Sequence, residues 1–171
     1  MNTAVIVLAA GLGTRMKSAI PKVLHPLLGK PLIKHVIDTI TPLKPAQTIV
    51  VVNPHGKTIR EVLAGYDLIF AVQKNMKGTG DAVRTAIRSL DHKKSDTILV
   101  VNGDTPLLKT ESLKQFLSLH QTRREAISIL SFHEEPPHEY GRIIRDKGQV
   151  VGIVENRDAT DEQRLISEVN S

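Results

Sequence analysis

Three short stretches combine residue types that could handle a polyphosphate. The first is AAGLGTRM, Ala9 to Met16, which follows the apolar run AVIVL, Ala4 to Leu8, and leads to PKVL, Pro21 to Leu24. Its glycines let the backbone turn sharply and let N–H groups approach an anion with no Cβ in the way. Arg15 and Lys22 add two cations on the same short segment. The second stretch is VVNGDTPL, where Asp104 stands beside a glycine just past an apolar run. Such a carboxylate suits Mg²⁺, which takes carboxylate and phosphate oxygens and keeps several waters. The third pairs Gln73 with Lys77-Gly78-Thr79-Gly80, a glycine turn that opens a helix and turns its N–H groups and the Thr79 hydroxyl to the ligand edge.

Each stretch also has a purely structural reading. The glycine loop could be a tight turn with Arg15 and Lys22 merely solvated. Asp104 could cap the next helix or close an Asx turn. Thr79 or Gly80 could simply start a helix, and Glu155 could be a solvated strand end. Two familiar phosphate motifs nearly fit and fail: both GxGxxG and GxxxxGK[ST] need a glycine where Met16 stands. None of the seven histidines makes an HxxxH or HExxH pair, so His25 and His35 read as surface or helix histidines. No GxSxG elbow presents a serine nucleophile.

The elements that must position these residues alternate. Thr48 to Val52, Leu68 to Val72 and Thr97 to Val101 repeat the apolar, β-branched texture of the first strand. Between them lie a helix after Pro31 carrying Leu32, Ile33, Val36, Ile37 and Ile40, a short helix Thr58 to Leu63, and an amphipathic helix Thr79 to Leu90. A further helix is expected near Glu111 to His120. Continuous apolar strands alternating with helices predict a doubly wound α/β fold, with a mostly parallel sheet and helices on both faces. Its ligand belongs at the carboxyl ends of the strands, where the glycine loop and Asp104 both fall. From Ala126 the texture changes. Ala126 to Phe132 reads as a strand, and GRIIR and VVGIVE read as a small β-hairpin turning at Asp146-Lys147-Gly148.

At 171 residues the chain suits one domain, 1–171. Apolar residues make up 40%, with three Phe, two Tyr and no Trp, so the core must be aliphatic. There is no cysteine, hence no disulfide framework and no thiolate metal site. No signal peptide and no long apolar span is visible, which suits a cytoplasmic protein without a membrane partner. Charge is uneven. Residues 1–100 carry 14 Lys and Arg against 6 Asp and Glu, and residues 101–171 carry 9 against 12. A basic half containing the glycine loop suits a polyanionic small molecule. Nucleic acid is disfavoured as a partner, because the cations are scattered and no aromatic platform accompanies them.

The run LAAGLGTRM followed by PKVLHPLLGKPLIKHVID resembles the opening of sugar-nucleotide pyrophosphorylases. It most resembles the uridylyltransferase domain of bifunctional bacterial enzymes that make UDP-N-acetylglucosamine. The later motifs NGDTPL, the Gln with a GTG turn, and YGR with a following VE come in family order and extend the resemblance over the chain. It implies that N-acetylglucosamine 1-phosphate and UTP are joined to give UDP-N-acetylglucosamine and pyrophosphate, with Mg²⁺ as cofactor. By resemblance, Leu8, Ala9, Ala10, Gly11, Gly13 and Thr14 wrap the triphosphate, and Arg15, Lys22 and Asp104 are catalytic, Asp104 holding the metal. Gln73, Gly78 and Thr79 hold the nucleobase. Gly141, Glu155 and Asn170 contact the sugar.

This sequence departs from the family pattern in places. Lys77 stands where Leu is usual, Asp81 where His is usual, Asn102 where Tyr is common, and His138-Glu139 where Thr-Gly is common. The departures leave open a related transferase with another sugar phosphate or nucleotide, such as a GTP-dependent cofactor guanylyltransferase, or a nucleotide-binding fragment with little turnover. The resemblance also implies a domain that continues past the EVNS segment to a second metal ligand. An incomplete domain is therefore expected, binding UTP with Mg²⁺, turning over slowly, and self-associating through exposed surface near its C-terminus. No hexapeptide repeat is present, so an acetyltransferase β-helix and its trimer are not expected.

Overall fold

The computed structural model describes residues 2–11, 13 and 16–170. The chain divides into two compact units, Met1–Leu117 and Ser118–Ser171.

The first unit is built on four parallel strands. They are β1 (Thr3–Leu8), β4 (Gln47–Val52), β5 (Ile69–Val72) and β6 (Thr97–Asn102), in the order β5-β4-β1-β6. Two two-residue strands, β2 (Pro26–Leu27) and β3 (Lys30–Pro31), form a small hairpin after the first loop. The helices of this unit are α1 (Leu32–Ile40), α2 (Lys57–Val62), α3 (Thr79–Ile87) and the start of α4 (Thr110–Arg123).

Side chains alternate across a strand, so each central strand feeds two cores. Val5 and Val7 of β1 and Val50 and Val52 of β4 pack with Ile33, Val36, Ile37 and Ile40 of α1, with Ile59 of α2, with Leu63 and with Leu113 of α4. Ala4 and Ile6 of β1 and Ile49 and Val51 of β4 pack instead with Ala82 and Ala86 of α3 and with Leu90. Helices therefore cover both faces, as a doubly wound sheet requires. This second core carries small Ala residues from α3, β1 and β5. On that face the β6 residues Ile98 and Val100, partners of Ala4 and Ile6, stay 37% and 40% exposed. The expectation that this strand is buried on both faces thus fails, because the edge strand lies beyond the α3 layer.

The second unit is an antiparallel sheet in the order β7-β10-β8-β9. Its strands are β7 (Ser131–His133), β8 (Arg142–Asp146), β9 (Gln149–Val154) and β10 (Glu168–Asn170), with the one-turn helix α5 (Asp161–Arg164) before the last strand. The hairpin expected at Asp146-Lys147-Gly148 is present: Asp146 pairs with Gln149, and Lys147 and Gly148 take φ of 48° and 82°. Two successive positive φ values match the right-handed twist of a two-residue hairpin. Thr160 and Gln163 cap α5 reciprocally, each side chain accepting from the other's backbone N–H. The strand expected from Ala126 starts only at Ser131. Residues 126–130 are irregular, with Ile127 79% exposed, because β10 offers partners only from Ser131 onward.

Candidate active site

All three chemistry-bearing stretches of the first unit reach one edge of its sheet. β1 ends at Leu8 and runs into Ala9, Ala10 and Gly11, and the Ala9 N–H donates to the Val51 carbonyl at 2.8 Å. Asn53, buried just past β4, donates from Nδ2 to the Ala10 carbonyl at 3.2 Å and accepts from the His55 N–H at 2.9 Å. One side chain thus closes the turn after β4 and pins the glycine loop. Gly13 has φ +60°, and a Cβ there would lie 2.9 Å from the Lys22 Cβ. Only glycine satisfies both the backbone and the close approach. Thr14 and Arg15 lie outside the described residues.

After β6, the Gly103 N–H donates to the Leu8 carbonyl at 2.9 Å, and a Cβ on Gly103 would sit 3.0 Å from that oxygen. This close approach delivers Asp104 to the glycine loop. Its Oδ2 lies 2.5 Å from Lys22 Nζ, with the two side chains 25% and 44% exposed. A half-exposed pair of this kind is cheap to separate, so both groups remain available to a ligand. Thr105 turns its hydroxyl back onto the Asn102 carbonyl at 2.8 Å and so shapes the turn itself.

Gln73 follows β5 and is 2% exposed. Its Nε2 donates to the Gly78 carbonyl at 3.2 Å and to Asp81 Oδ2 at 2.9 Å. Gly78 is the residue before α3, with φ +92°, and no side chain caps the helix. Thr79 does start the helix, as the structural reading had it, with Gly78 in the N-cap place.

These residues line one cleft of about 310 Å³. Leu8, Ala9, Ala10, Gly11, Gly13, Lys22, Gln73, Gly78, Thr79 and Asp104 all contribute to its wall, as do Val23, Met76, Ala82 and Asn102, which sequence reasoning did not nominate. Met76 precedes the GTG turn and Ala82 lies on α3, and their nearness in sequence to that turn was the available signal. Lys22 and Asp104 are the charged residues of this wall, and Gln73, Thr79 and Asn102 are its uncharged polar ones. Among the described residues no group of three or more His, Asp or Glu side chains gathers as a cage for a metal. No helix among them is long and apolar enough to cross a membrane.

Gly141, Glu155 and Asn170 belong to the second unit. The Asn170 N–H donates to the Gly141 carbonyl at 3.0 Å, and a Cβ on Gly141 would lie 2.6 Å from Asn170 Oδ1. A side chain at Gly141 would thus displace the Asn170 amide from its present position. Glu155 is exposed and directly follows Val154, the β9 partner of Arg142, so it stands at the same end of the sheet as Gly141. Arg142, between them in the fold, is 1% exposed and donates to the Tyr140 and His138 carbonyls. It braces the 138–140 turn.

The model of the MobA-like NTP transferase domain matches residues 5–165. The chain belongs to this family. Relatives include the bifunctional protein GlmU of Thermodesulfovibrio yellowstonii, 46% identical over 98% of this chain and 36% of its own length. The bifunctional protein GlmU of Thermobifida fusca is 45% identical, again over 98% and 36%. The chain therefore spans about 36% of the length of these curated relatives. Among solved structures, a Bacillus anthracis protein assigned as a glucose-1-phosphate thymidylyltransferase, in complex with a sucrose, superposes with a TM-score of 0.81 at 17% identity, over 99% of this chain and 69% of that one. The 4-diphosphocytidyl-2C-methyl-D-erythritol synthase of Anaerococcus prevotii gives 0.63 at 19% identity, over 93% and 66%. These likenesses show that this chain shares its fold with both structures.

Proposed function

We propose that this chain is a nucleotidyltransferase that joins N-acetylglucosamine 1-phosphate to UTP, giving UDP-N-acetylglucosamine and pyrophosphate. The observation that carries the reading is the convergence of the glycine loop, Lys22, Asp104 and Gln73 on one cleft at the carboxyl ends of parallel strands. Relatives at 45–46% identity over nearly the whole chain support the sugar-nucleotide assignment.

In the proposed reaction an oxygen of the sugar phosphate forms a bond to the α-phosphorus of UTP. The bond from that phosphorus to the bridging oxygen breaks, and pyrophosphate leaves with the electron pair. The attacking oxygen is already ionised, so the protein needs position and positive charge rather than a base. Loop N–H groups and Arg15 take the β- and γ-phosphates, and Lys22 stabilises charge at the α-phosphate. Gln73, Gly78 and Thr79 read the base, and Gly141, Glu155 and Asn170 read the sugar.

The donor set fits a hard divalent cation. Asp104 gives one carboxylate at the cleft wall, and Mg²⁺ commonly takes one or two carboxylates with phosphates and waters. Asp104 would hold it, and its chemistry there is neutralisation of phosphate charge. The contact with Lys22 holds this carboxylate at the cleft wall.

Pyrophosphate release across a panel of nucleoside triphosphates and sugar 1-phosphates, with Mg²⁺ present, tests the proposal. Release that requires both UTP and N-acetylglucosamine 1-phosphate supports it. Release with another pair, or none with any pair, overturns it.

A further inference from the structure

The least ordinary polar contact in the cleft lies at its Gln73 end. The Gln73 amide is 2% exposed, so its orientation is a matter of which partners it meets. Its Nε2 faces two groups that accept and never donate, the Gly78 carbonyl at 3.2 Å and the Asp81 carboxylate at 2.9 Å. An amide nitrogen has two protons, and here each has an acceptor. Turning the amide over would set its oxygen against a carbonyl and a carboxylate, a repulsive contact inside a buried site. The orientation is therefore fixed, and among the described residues no hydrogen bond is made to Oε1. Asp81 lies in the first turn of α3 and is held there by the helix, whose Thr85 hydroxyl bonds the Asp81 carbonyl at 2.9 Å.

We propose that Asp81 is a positioning residue that locks the Gln73 amide so that only its carbonyl oxygen meets the nucleobase, which selects a pyrimidine with a ring N–H. The inference rests on the reading of the cleft as a nucleotide site. Uracil and thymine carry a donor at N3, which Oε1 accepts. Cytosine carries an acceptor at N3, which would place two lone pairs together. Sites that fix one polarity of a buried hydrogen bond discriminate strongly, because the wrong ligand leaves polar groups unpaired. A loop that merely tolerated any pyrimidine would not need the carboxylate.

The test compares UTP, TTP and CTP binding by calorimetry, with Mg²⁺, in the wild type, Asp81→Ala and Asp81→Asn. The Gln73 side-chain amide protons are followed by NMR in the nucleotide-free protein. The wild type should prefer UTP and TTP over CTP, and its Nε2 protons should exchange slowly. Asp81→Ala should lower the UTP-to-CTP ratio about tenfold and speed the exchange. Asp81→Asn, whose Oδ1 still accepts, should restore both. A merely structural Asp81 would shift melting temperature and leave the ratio alone. UTP binding with an unchanged ratio in Asp81→Ala overturns the inference and spares the nucleotide reading. Failure of the wild type to bind any triphosphate overturns both.

Discussion

The two ends of the cleft are held by opposite means. At the Lys22 end the charged pair Lys22–Asp104 is 44% and 25% exposed, and the backbone around it does the structural work through Gly13, Gly103 and the Asn53 contact. At the Gln73 end the polar group itself is buried: Gln73 is 2% exposed and both of its amide protons are engaged inside the protein. An exposed ion pair contributes little to folding, whereas an unpaired buried polar group is costly. The Lys22 end should therefore separate activity from stability, and the Gln73 end should couple them.

The largest effect is expected from Lys22→Ala. Turnover should fall about a hundredfold to a thousandfold through lost charge stabilisation, while stability changes by no more than about 1 kcal/mol. Steady-state kinetics and thermal melting on the same sample check both halves. A melting temperature that drops in step with activity would break the comparison.

Gln73→Leu keeps the volume and removes the amide. It should weaken UTP binding about tenfold and also destabilise the fold by about 1–3 kcal/mol, because Asp81 and the Gly78 carbonyl lose their donor. Denaturant titration alongside nucleotide binding reads the coupling. Loss of binding with full stability would make the two ends alike.

The smallest effect serves as a control outside the cleft lining. Glu168 in the second unit is held down to about 2 from an ordinary 4.5, first by the Arg145 guanidinium and then by the Ser131 hydroxyl. A depressed carboxylate contributes its stability in full above about pH 4.5, and the contribution fades as pH falls through 2. Glu168→Gln should therefore lower stability by about 1 kcal/mol or less at neutral pH, and the difference from the wild type should vanish in acid. Denaturation curves across that range show the crossover, or show a constant gap if the ion pair is not its source.

How much was legible depends on how local the signal was. β1 and β4 were readable because strands buried on both faces must be continuous apolar runs, TAVIVL and QTIVVV. The helix α1 was readable from Pro31 and an unbroken stripe of Ile and Val. β10 escaped notice because EVN has a single apolar residue. It is a strand only because Val169 pairs with Phe132 on one side and Arg142 on the other. The same tertiary pairing shortened the strand expected from Ala126. In the site, Lys22, Asp104 and the glycine loop were visible because backbone and side chain signal together within a few residues. Asn53 gave no such local signal, since its bond to Ala10 spans 43 positions. Asp81 was noticed as a departure from the family pattern, but its bond to Gln73 became apparent only when strand end and helix start were seen together. Arg142 gave no sign of burial, because an arginine's fate depends on carbonyls that its neighbours present, here those of His138 and Tyr140.

The most direct test of the account is Asp104→Ala, assayed for UTP-dependent pyrophosphate release over a Mg²⁺ titration, with melting temperature recorded in parallel. Asp104 is 25% exposed on its side chain and bonded to an exposed partner, so its loss should leave the fold intact. The account predicts that activity falls at least about a hundredfold, that added Mg²⁺ recovers only part of it, and that the melting temperature moves by no more than a few degrees. Retained activity with an unchanged Mg²⁺ dependence, or a large fall in melting temperature alone, would contradict it.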